Sequence, residues 1–475
     1  KQYYFCSMAK KFIPERYEDL KVVDINQKGK GVVKSDDGKV IFVSGVVPGD
    51  QICVETFKKR RGYFEAKLIE INRPSDDRAT PVCSHFGVCG GCKWQNLTYD
   101  AQLKFKQKEI THNLTHMSGM TLPEIEKIIP ASKNYFYRNK MEYSFSGQRW
   151  LTRDEIIDKT SEIEKRGLGF HKAGMWDKVV DIKECHLQPE PANKIRNFIK
   201  TFALKNNLEF FNPKTRSGFL RTLMIRNSNR DEFMVLLQFY KEDKTKREAL
   251  MEAILEKFDV KSLLYCINEK ANDTLYDQEI FCYHGTDFIV EDMEGLKFKI
   301  NAKSFFQTNT EQAYELYKIT REFAALKGSE VVYDLYTGTG TIAQFVAKDC
   351  KKVIGIESVP DAVHAAKINA KENRIENAYF EVGHMRKVFN PEFVNQYGQA
   401  DVVITDPPRN GMHPEVIQQL LALSPRKIVY VSCNNATQAR DLNLMKEHYR
   451  ISRTKAIDMF PQTQHVENVV LLEKI

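Results

Sequence analysis

No stretch of the 475 residues approaches the roughly 20 consecutive apolar positions that a membrane-spanning helix requires. The first eleven residues hold no apolar run of signal-peptide length. These absences lead to the expectation of a cytoplasmic chain with no membrane partner. Internal repeats and low-complexity tracts are also missing, which sets aside a repeat architecture. Of ten cysteines only three cluster, so without a secretory signal the pattern argues against a disulfide framework and for metal binding or catalysis. Hydrophobic content of 42% with 28% charged residues is ordinary for a globular protein, and 475 residues exceed what one core organises, so two or three domains are expected.

The net charge of +8 is unevenly placed. Residues 1–75 carry fifteen Lys and Arg against ten Asp and Glu, whereas residues 301–475 carry twenty-one against twenty. A basic N-terminal part suits an appended module that touches polyphosphate. Short β-rich runs at 22–25, 39–43, 51–55 and 63–69 are separated by Gly and Asp turns, the signature of a small oligonucleotide-binding type barrel. The hairpin tip Lys58-Lys59-Arg60-Arg61-Gly62-Tyr63-Phe64 sets four cations beside two aromatics, an arrangement for phosphate contact plus base stacking.

Residues 73–81 read as a polar, Pro-bounded linker, 99–116 as a helix, and 135–300 as mainly β with helices near 190–204 and 244–258. From about Asn301 the pattern alternates. Helix 311–326, strand 331–336, helix 342–348, strand 352–357, helix 361–373 and strands 401–405 and 427–432 imply a doubly wound parallel sheet whose ligand lies beyond the strand C-termini.

Asp334-Leu335-Tyr336-Thr337-Gly338-Thr339-Gly340-Thr341 joins a strand to a helix, and its glycines let backbone approach a ligand. The third glycine of a dinucleotide fingerprint and the Lys of a triphosphate loop are both absent. Glu357 closes the next strand, where a carboxylate can accept hydrogen bonds from both ribose hydroxyls. A nucleoside without a phosphate clamp points to S-adenosylmethionine. Asp406, in Thr405-Asp406-Pro407-Pro408-Arg409, ends another strand, and the two prolines hold its carboxylate over the cofactor methyl. Enzymes that methylate exocyclic amines usually carry an aromatic after the prolines; Arg409 stands there instead.

Cys433 lies at the C-terminal end of a strand just before a helix, whose N-terminus is expected to lower the thiol pKa. A thiol has a definite use here. Carbon 5 of uracil is too poor a nucleophile for a sulfonium methyl, but a thiolate added to carbon 6 turns the ring into an enolate that can attack. A base must then remove the carbon 5 proton, and Glu467 is the candidate. The spacing of Cys83, Cys89 and Cys92 is C-x5-C-x2-C, with Cys185 the candidate fourth ligand; four thiolates hold either zinc or an iron–sulfur cluster.

Together these residues resemble the bacterial RNA uridine-5-methyltransferases, specifically the 23S ribosomal RNA branch with an iron–sulfur cluster, over nearly the whole chain. The resemblance implies a TRAM-like barrel at 14–73, a central iron–sulfur and RNA-binding domain at 74–300, and an α/β, Rossmann-like methyltransferase domain at 301–475. It implies a 4Fe–4S cluster on Cys83, Cys89, Cys92 and Cys185. Tyr137-Arg138-Asn139-Lys140 and Gly169-Phe170-His171 match recurring segments of the RNA-binding domain. Gln307, Tyr336, Thr341, Glu357 and Asp406 fall on cofactor positions, Cys433 on the nucleophile and Glu467 on the base. His384 is a misfit, standing where the family offers Asp or Asn towards adenine. The tRNA-modifying branch is expected to resemble only the C-terminal half. The implied activity is methylation of carbon 5 of a uridine, with ribosomal RNA the first candidate substrate and no obligate protein partner. The alternatives are a tRNA uridine-5-methyltransferase, a 5-methylcytidine enzyme and a non-catalytic RNA-binding or ribosome-assembly factor.

Overall fold

The structure is a computed structural model that describes residues 12–26, 28–157 and 163–475. The reading of residues 1–11, with Cys6, lies outside the described residues. The chain divides into two compact units: residues 1–87, 91–105 and 462–464 form the first, and residues 88–90, 106–461 and 465–475 the second.

The first unit is built around a closed five-stranded barrel in the order Arg16–Ile25, Gly31–Lys34, Val40–Val43, Tyr63–Arg73 and Gln51–Arg60. Alternate positions point inward, so Leu20, Val22, Val33, Ile41, Val43, Ile52, Val54 and Ala66 form its core. Closure leaves no room at Gly31, where a Cβ would lie 2.3 Å from the Val46 side chain. Two strand features differ from the sequence reading. The first strand begins at Arg16 rather than Val22, because an irregularity between Tyr17 and Leu20, with Asp19 at φ 53°, breaks the alternation that marks a strand. Gly31–Lys34, of which only Gly31 falls in an expected turn and the rest in no expected element, is a four-residue strand. The linker is tied down: the buried Asp50 carboxylate accepts from Ser75 N at 2.9 Å and from Arg78 Nε at 3.2 Å. The cationic hairpin stays paired to its end, with Lys59 opposite Phe64 and Arg60 opposite Tyr63.

The second unit contains two large sheets. One has seven strands, ordered Phe281–Gly285, Ser262–Ile267, Phe233–Phe239, Leu220–Asn227, Lys140–Ser146, Gly167–His171 and Val179–Asp181. Its single parallel pair, Phe233–Phe239 with Ser262–Ile267, needs a crossover, which the helix Lys244–Lys257 supplies. The other has eight strands, ordered Ala378–Val382, Lys352–Glu357, Val331–Leu335, Val402–Thr405, Lys427–Ser432, Glu467–Lys474, Tyr449–Ile457 and Glu126–Ile129. The first five run parallel. Glu467–Lys474 then inserts antiparallel between Lys427–Ser432 and Tyr449–Ile457, so the sheet is mixed rather than wholly parallel. The parallel strands are apolar on both faces, which matches burial between helix layers. The helix Thr310–Ala324 lies against this sheet through Ala313, Leu316, Tyr317 and Phe323, and Asn309 caps it by accepting from Gln312 N. The hairpin Phe288–Met293 and Leu296–Asn301 joins the same core, and Asn369 and Asn373 of the helix Pro360–Glu372 and its C-terminal end hold its edge through Lys299 N and Lys297 N. No helix among the described residues is long and apolar enough to cross a membrane.

A buried ion pair anchors the segment that leads back into the sheet. Lys106 Nζ lies 2.6 Å from Asp458 Oδ1 with both side chains fully buried, and it also donates to Phe460 O at 3.1 Å. Removing only the lysine strands a carboxylate in the interior. Lys106→Met is therefore expected to cost about 3–5 kcal/mol of stability, and adding Asp458→Leu should restore part of it. Urea unfolding midpoints of the single and double variants check this.

Candidate active site

The chain reverses its direction of strand addition at Val331–Leu335. That strand pairs with Lys352–Glu357 on one side and Val402–Thr405 on the other, which makes its C-terminal end the crevice where ligands of open α/β sheets bind. Tyr336 leaves the strand at φ 60°, and Gly338 and Gly340 follow at φ 56° and 75°, so the turn uses left-handed backbone at three of five positions. Gly340 packs inward: a Cβ there would lie 2.5 Å from the Phe380 ring. Gly338 faces open space, leaving its backbone approachable. Asp334 holds the turn from below, accepting from Thr337 Oγ1 and from Ala343 N. Burial raises its pKa to about 7.

Glu357 stands beside this turn. Its Oε1 accepts from Ser358 N, Ser358 Oγ and Val359 N, while Oε2 takes a 3.2 Å bond from Gly338 N. A carboxylate so oriented, next to an open glycine backbone, fits the ribose of a nucleoside cofactor. Thr341 is buried; burial raises the pKa of the neighbouring Tyr317 phenol, and the Thr341 side chain lowers it. Burial raises the Tyr336 phenol to about 12, with the Asp441 and Glu357 carboxylates adding to the shift.

Gln307 reaches the same region on the loop before the helix Thr310–Ala324. Thr339 Oγ1 donates to Phe305 O at 3.3 Å, joining that loop to the glycine turn. Asn139, the residue just before Lys140–Ser146, clamps it: Asn139 Nδ2 donates to Gln307 O at 3.0 Å and to Thr310 Oγ1 at 2.9 Å, and Asn139 N donates to Thr308 O at 2.8 Å. In the sequence Asn139 stands only inside an RNA-domain motif; its contact with the cofactor loop has no local signal. His384 is exposed and its Nδ1 accepts from Arg386 N at 3.4 Å.

Cys433, Asp406 and Glu467 come together because of strand pairing. Ser432 is opposite Asn468 in an antiparallel pair, so the next residue on each chain, Cys433 and Glu467, continues the same register. Thr405 pairs with Leu335, and Asp406 N donates to Leu335 O, so Asp406 enters from the neighbouring strand end. Asn434 caps the helix Asn435–Asn443 by accepting from Ala436 N and Thr437 N, and it donates from Nδ2 to Arg409 O at 2.9 Å. Thr437 Oγ1 makes a second bond to the same carbonyl. The Asp-Pro-Pro-Arg loop is thereby fixed to the helix that follows Cys433. Asp441 completes the brace by accepting from Met412 N and Tyr430 Oη, each at 2.7 Å.

The electrostatics depart from the sequence expectation. The thiol of Cys433 is pushed up to about 11, first by burial and then by the charges of Glu467 and Asp406, with the Arg409 charge opposing. The helix N-terminus does not win, because Asn434 already occupies N–H groups there and burial together with the Glu467 and Asp406 charges outweighs it. Burial raises Asp406 to about 7, and burial followed by the Asp406 charge raises Glu467 well above the usual carboxylate range. His465 is lowered to about 4 by burial and by the charges of Arg409, Lys106 and Arg138. Burial thus disfavours the charged forms of the thiol and of both carboxyls, while the Arg409 charge favours the anionic forms of Cys433 and Glu467.

The four cysteines assigned to a cluster are divided between the units: Cys83 and Cys92 belong to the first, Cys89 and Cys185 to the second. Among the described residues, no group of three or more His, Cys, Asp or Glu side chains in either unit is placed to hold a metal ion. The backbone of Cys185 is fixed by Asn193, which accepts from Cys185 N at 2.8 Å and donates to Cys185 O at 3.1 Å.

With the thiol at about 11, about one molecule in ten thousand is thiolate at pH 7. Alkylation of Cys433 by iodoacetamide in the free protein should accelerate about tenfold per pH unit from 7 to 9. Arg409→Ala removes the charge that favours the thiolate and should slow alkylation several-fold at fixed pH. Peptide mapping of the alkylated protein checks both, and a rate that levels off below pH 8 would contradict the assigned direction.

The sequence and the fold are shared with known proteins. The sequence model of the tRNA (uracil-5-)-methyltransferase family matches residues 238–475. The chain is 48% identical to an uncharacterized RNA methyltransferase of Porphyromonas gingivalis, over 95% of this chain and 99% of the relative. It is 37% identical to another from Chlorobaculum tepidum, over 96% of each. It also superposes on the crystal structure of Pyrococcus abyssi tRNA (uracil-54, C5)-methyltransferase in complex with S-adenosyl-L-homocysteine, with a TM-score of 0.75, 30% identity, and coverage of 96% of this chain and 100% of that one. The expectation that tRNA-modifying relatives match only the C-terminal half is thereby corrected: a tRNA enzyme aligns over nearly the full length, so the preceding segments do not separate the two substrate branches. The chain belongs to the tRNA (uracil-5-)-methyltransferase family and is an S-adenosylmethionine-dependent RNA methyltransferase.

Proposed function

We propose that this protein methylates carbon 5 of one uridine in a folded RNA, with Cys433 as nucleophile and Glu467 as base. The observation that carries the reading is the continued register of Ser432 and Asn468, which sets a thiol beside a buried carboxyl at the ligand end of the sheet. S-adenosylmethionine supplies an electrophilic methyl group when bound. Glu357 would hold its ribose, with Gln307, Tyr336, Thr341 and Asp406 lining the remainder; His384, exposed and bonded to its own loop, is the weakest fit to an adenine contact.

The sulfur of Cys433 gives an electron pair to carbon 6 of the uracil, and the ring electrons shift to make carbon 5 nucleophilic. Arg409 favours the thiolate needed for this step. Once carbon 5 carries the methyl, Glu467 takes its proton; the electrons of that C–H bond re-form the ring double bond and expel the thiolate. A carboxyl with a raised pKa is the stronger base once ionised. The target base must leave its stack to reach the pocket. The barrel tip Lys58–Arg61 and the seven-stranded sheet are the proposed grip on the RNA, within the domain partition 14–73, 74–300 and 301–475 and in the cytoplasm.

Ribosomal RNA, specifically 23S, is the first candidate on the resemblance of the whole motif set. A tRNA uridine is the second reading, favoured by the full-length match to the archaeal tRNA enzyme. A 4Fe–4S cluster on Cys83, Cys89, Cys92 and Cys185 rests on the cysteine spacing and the resemblance. No step of the transfer needs it.

Incubation with 5-fluorouridine transcripts of 23S rRNA and tRNA should trap a covalent adduct mapped to Cys433 on one of them. Cys433→Ala should abolish transfer, by at least about a thousandfold, and retain S-adenosylmethionine binding, whereas Glu467→Gln should accumulate adduct on unmodified RNA. Normal turnover by Glu467→Gln would remove it as the base, and 5-methylcytidine in the product would redirect the substrate. Anaerobic purification followed by iron and sulfide analysis should find about four of each per chain, both disappearing on replacing Cys185 by Ser.

A further inference from the structure

The hairpin that joins Gly167–His171 to Val179–Asp181 ends in a seven-residue turn, Lys172 to Lys178. The turn is built rather than loose. Lys172 N donates to Lys178 O at 2.8 Å, Met175 N donates to Lys172 O at 2.9 Å, and Gly174 takes φ 79°. What this frame presents is apolar: Trp176 is 66% exposed and Met175 39%. Three lysines belong to this turn or reach it, with Lys178 Nζ also donating to Gln148 O at 3.5 Å. Lys172 and Lys178 face each other across the base of the turn, and Lys214 reaches it through a 2.6 Å ion pair with Asp177, the one acidic residue in the turn. Lys172 Nζ lies 4.5 Å from the ring centroid of Trp150, whose backbone N donates to Val179 O. What sets this turn apart is the combination: a hydrogen-bonded frame, two adjacent apolar side chains held out to water, and lysines on the same turn.

The chemistry selects the occupant. One indole and one thioether offer far less than the roughly 800 Å² per partner of a stable protein interface, and lysine is depleted from the cores of such interfaces. An exposed aromatic beside lysines suits an unpaired nucleobase whose flanking phosphates meet the cations. We infer that the tip Lys172–Lys178 is an RNA contact, in which Trp176 stacks on a splayed base while Lys172, Lys178 and Lys214 meet the neighbouring phosphates. This rests on the RNA-methyltransferase reading and adds to it a second anchoring point on the substrate, carried by the seven-stranded sheet and distinct from the base that reacts.

The test uses the full-length protein and unmodified transcripts of 23S rRNA and of tRNA. The chain has three tryptophans, of which Trp94 is buried, so in a Trp150→Phe background the responsive emission belongs to Trp176. RNA should quench it. Trp176→Ala should weaken binding of the methylated transcript by about ten- to a hundredfold while the rate at saturating RNA stays unchanged, and Trp176→Phe should recover most of the affinity. The slope of affinity against salt should be unaltered in Trp176→Ala. In Lys172→Ala and Lys178→Ala it should be shallower, by about one unit for each phosphate that the missing ammonium group would have neutralised. Unquenched emission, or RNA affinity unaffected by Trp176→Ala in an enzyme that still transfers methyl groups, overturns the tip alone, including the case where the change removes a protein partner instead. Failure of the wild-type chain to bind either RNA overturns the tip together with both proposed substrates.

Discussion

The proposed chemistry depends on one antiparallel pairing. Lys427–Ser432 and Glu467–Lys474 are joined so that Ser432 meets Asn468, and a slip of one residue would turn Glu467 to the opposite face. The register is locked by side chains at that end. Asn468 Nδ2 donates to Gln438 Oε1, Gln438 Nε2 donates to Tyr430 O, and Thr454 Oγ1 donates to Asn468 Oδ1, all in the buried interior. Buried amides with several satisfied partners are costly to misplace, so this network specifies alignment more than it adds stability. The parallel strands can tolerate variation in their apolar side chains; the antiparallel insertion cannot tolerate a shift.

The same pocket shows why burial, rather than the helix end, governs the reacting groups. Burial is the first cause of the shift at the thiol and at both carboxyls; the Asp406 charge adds to the shifts of Cys433 and Glu467, the Glu467 charge adds to that of Cys433, and the Arg409 charge opposes both. Neutral groups lower the cost of closing a dry site before any substrate arrives. Arg409, placed by carbonyl bonds to Asn434 and Thr437, is the asymmetry that lets one of them ionise. Its position after two prolines, where an aromatic would serve a different chemistry, is thus an electrostatic choice as well as a steric one.

Local features are legible in the sequence and non-local ones are not. The glycine turn, Glu357, Asp406 and Cys433 each end a strand with a readable apolar run, so their place at one edge of a sheet follows from periodicity alone. Glu467 is recognisable from chemistry, but its partner strand Tyr449–Ile457 alternates polar and apolar residues with an irregularity between Ile451 and Arg453, which hides it. Ala378–Val382 is hidden too, being short and half-exposed. Glu126–Ile129 cannot be assigned to this sheet from sequence, since it pairs with a strand more than three hundred residues away. The sign of the thiol shift is concealed for a related reason. A helix N-terminus is visible in a motif, whereas the desolvation that opposes it comes from residues distant in the chain.

Asn139 gives the molecule a property that neither large sheet has alone. Its amide and backbone grip the loop carrying Gln307, while Lys140–Ser146, which begins at the next residue, lies in the interior of the seven-stranded sheet. Any ligand that shifts this strand when it binds must change the affinity for a nucleoside held by that loop. Thermodynamic reciprocity then requires the nucleoside to change the affinity for that ligand by the same factor. Asn139 is thus the hydrogen-bonded joint through which any movement of Lys140–Ser146 would reach the loop that carries Gln307.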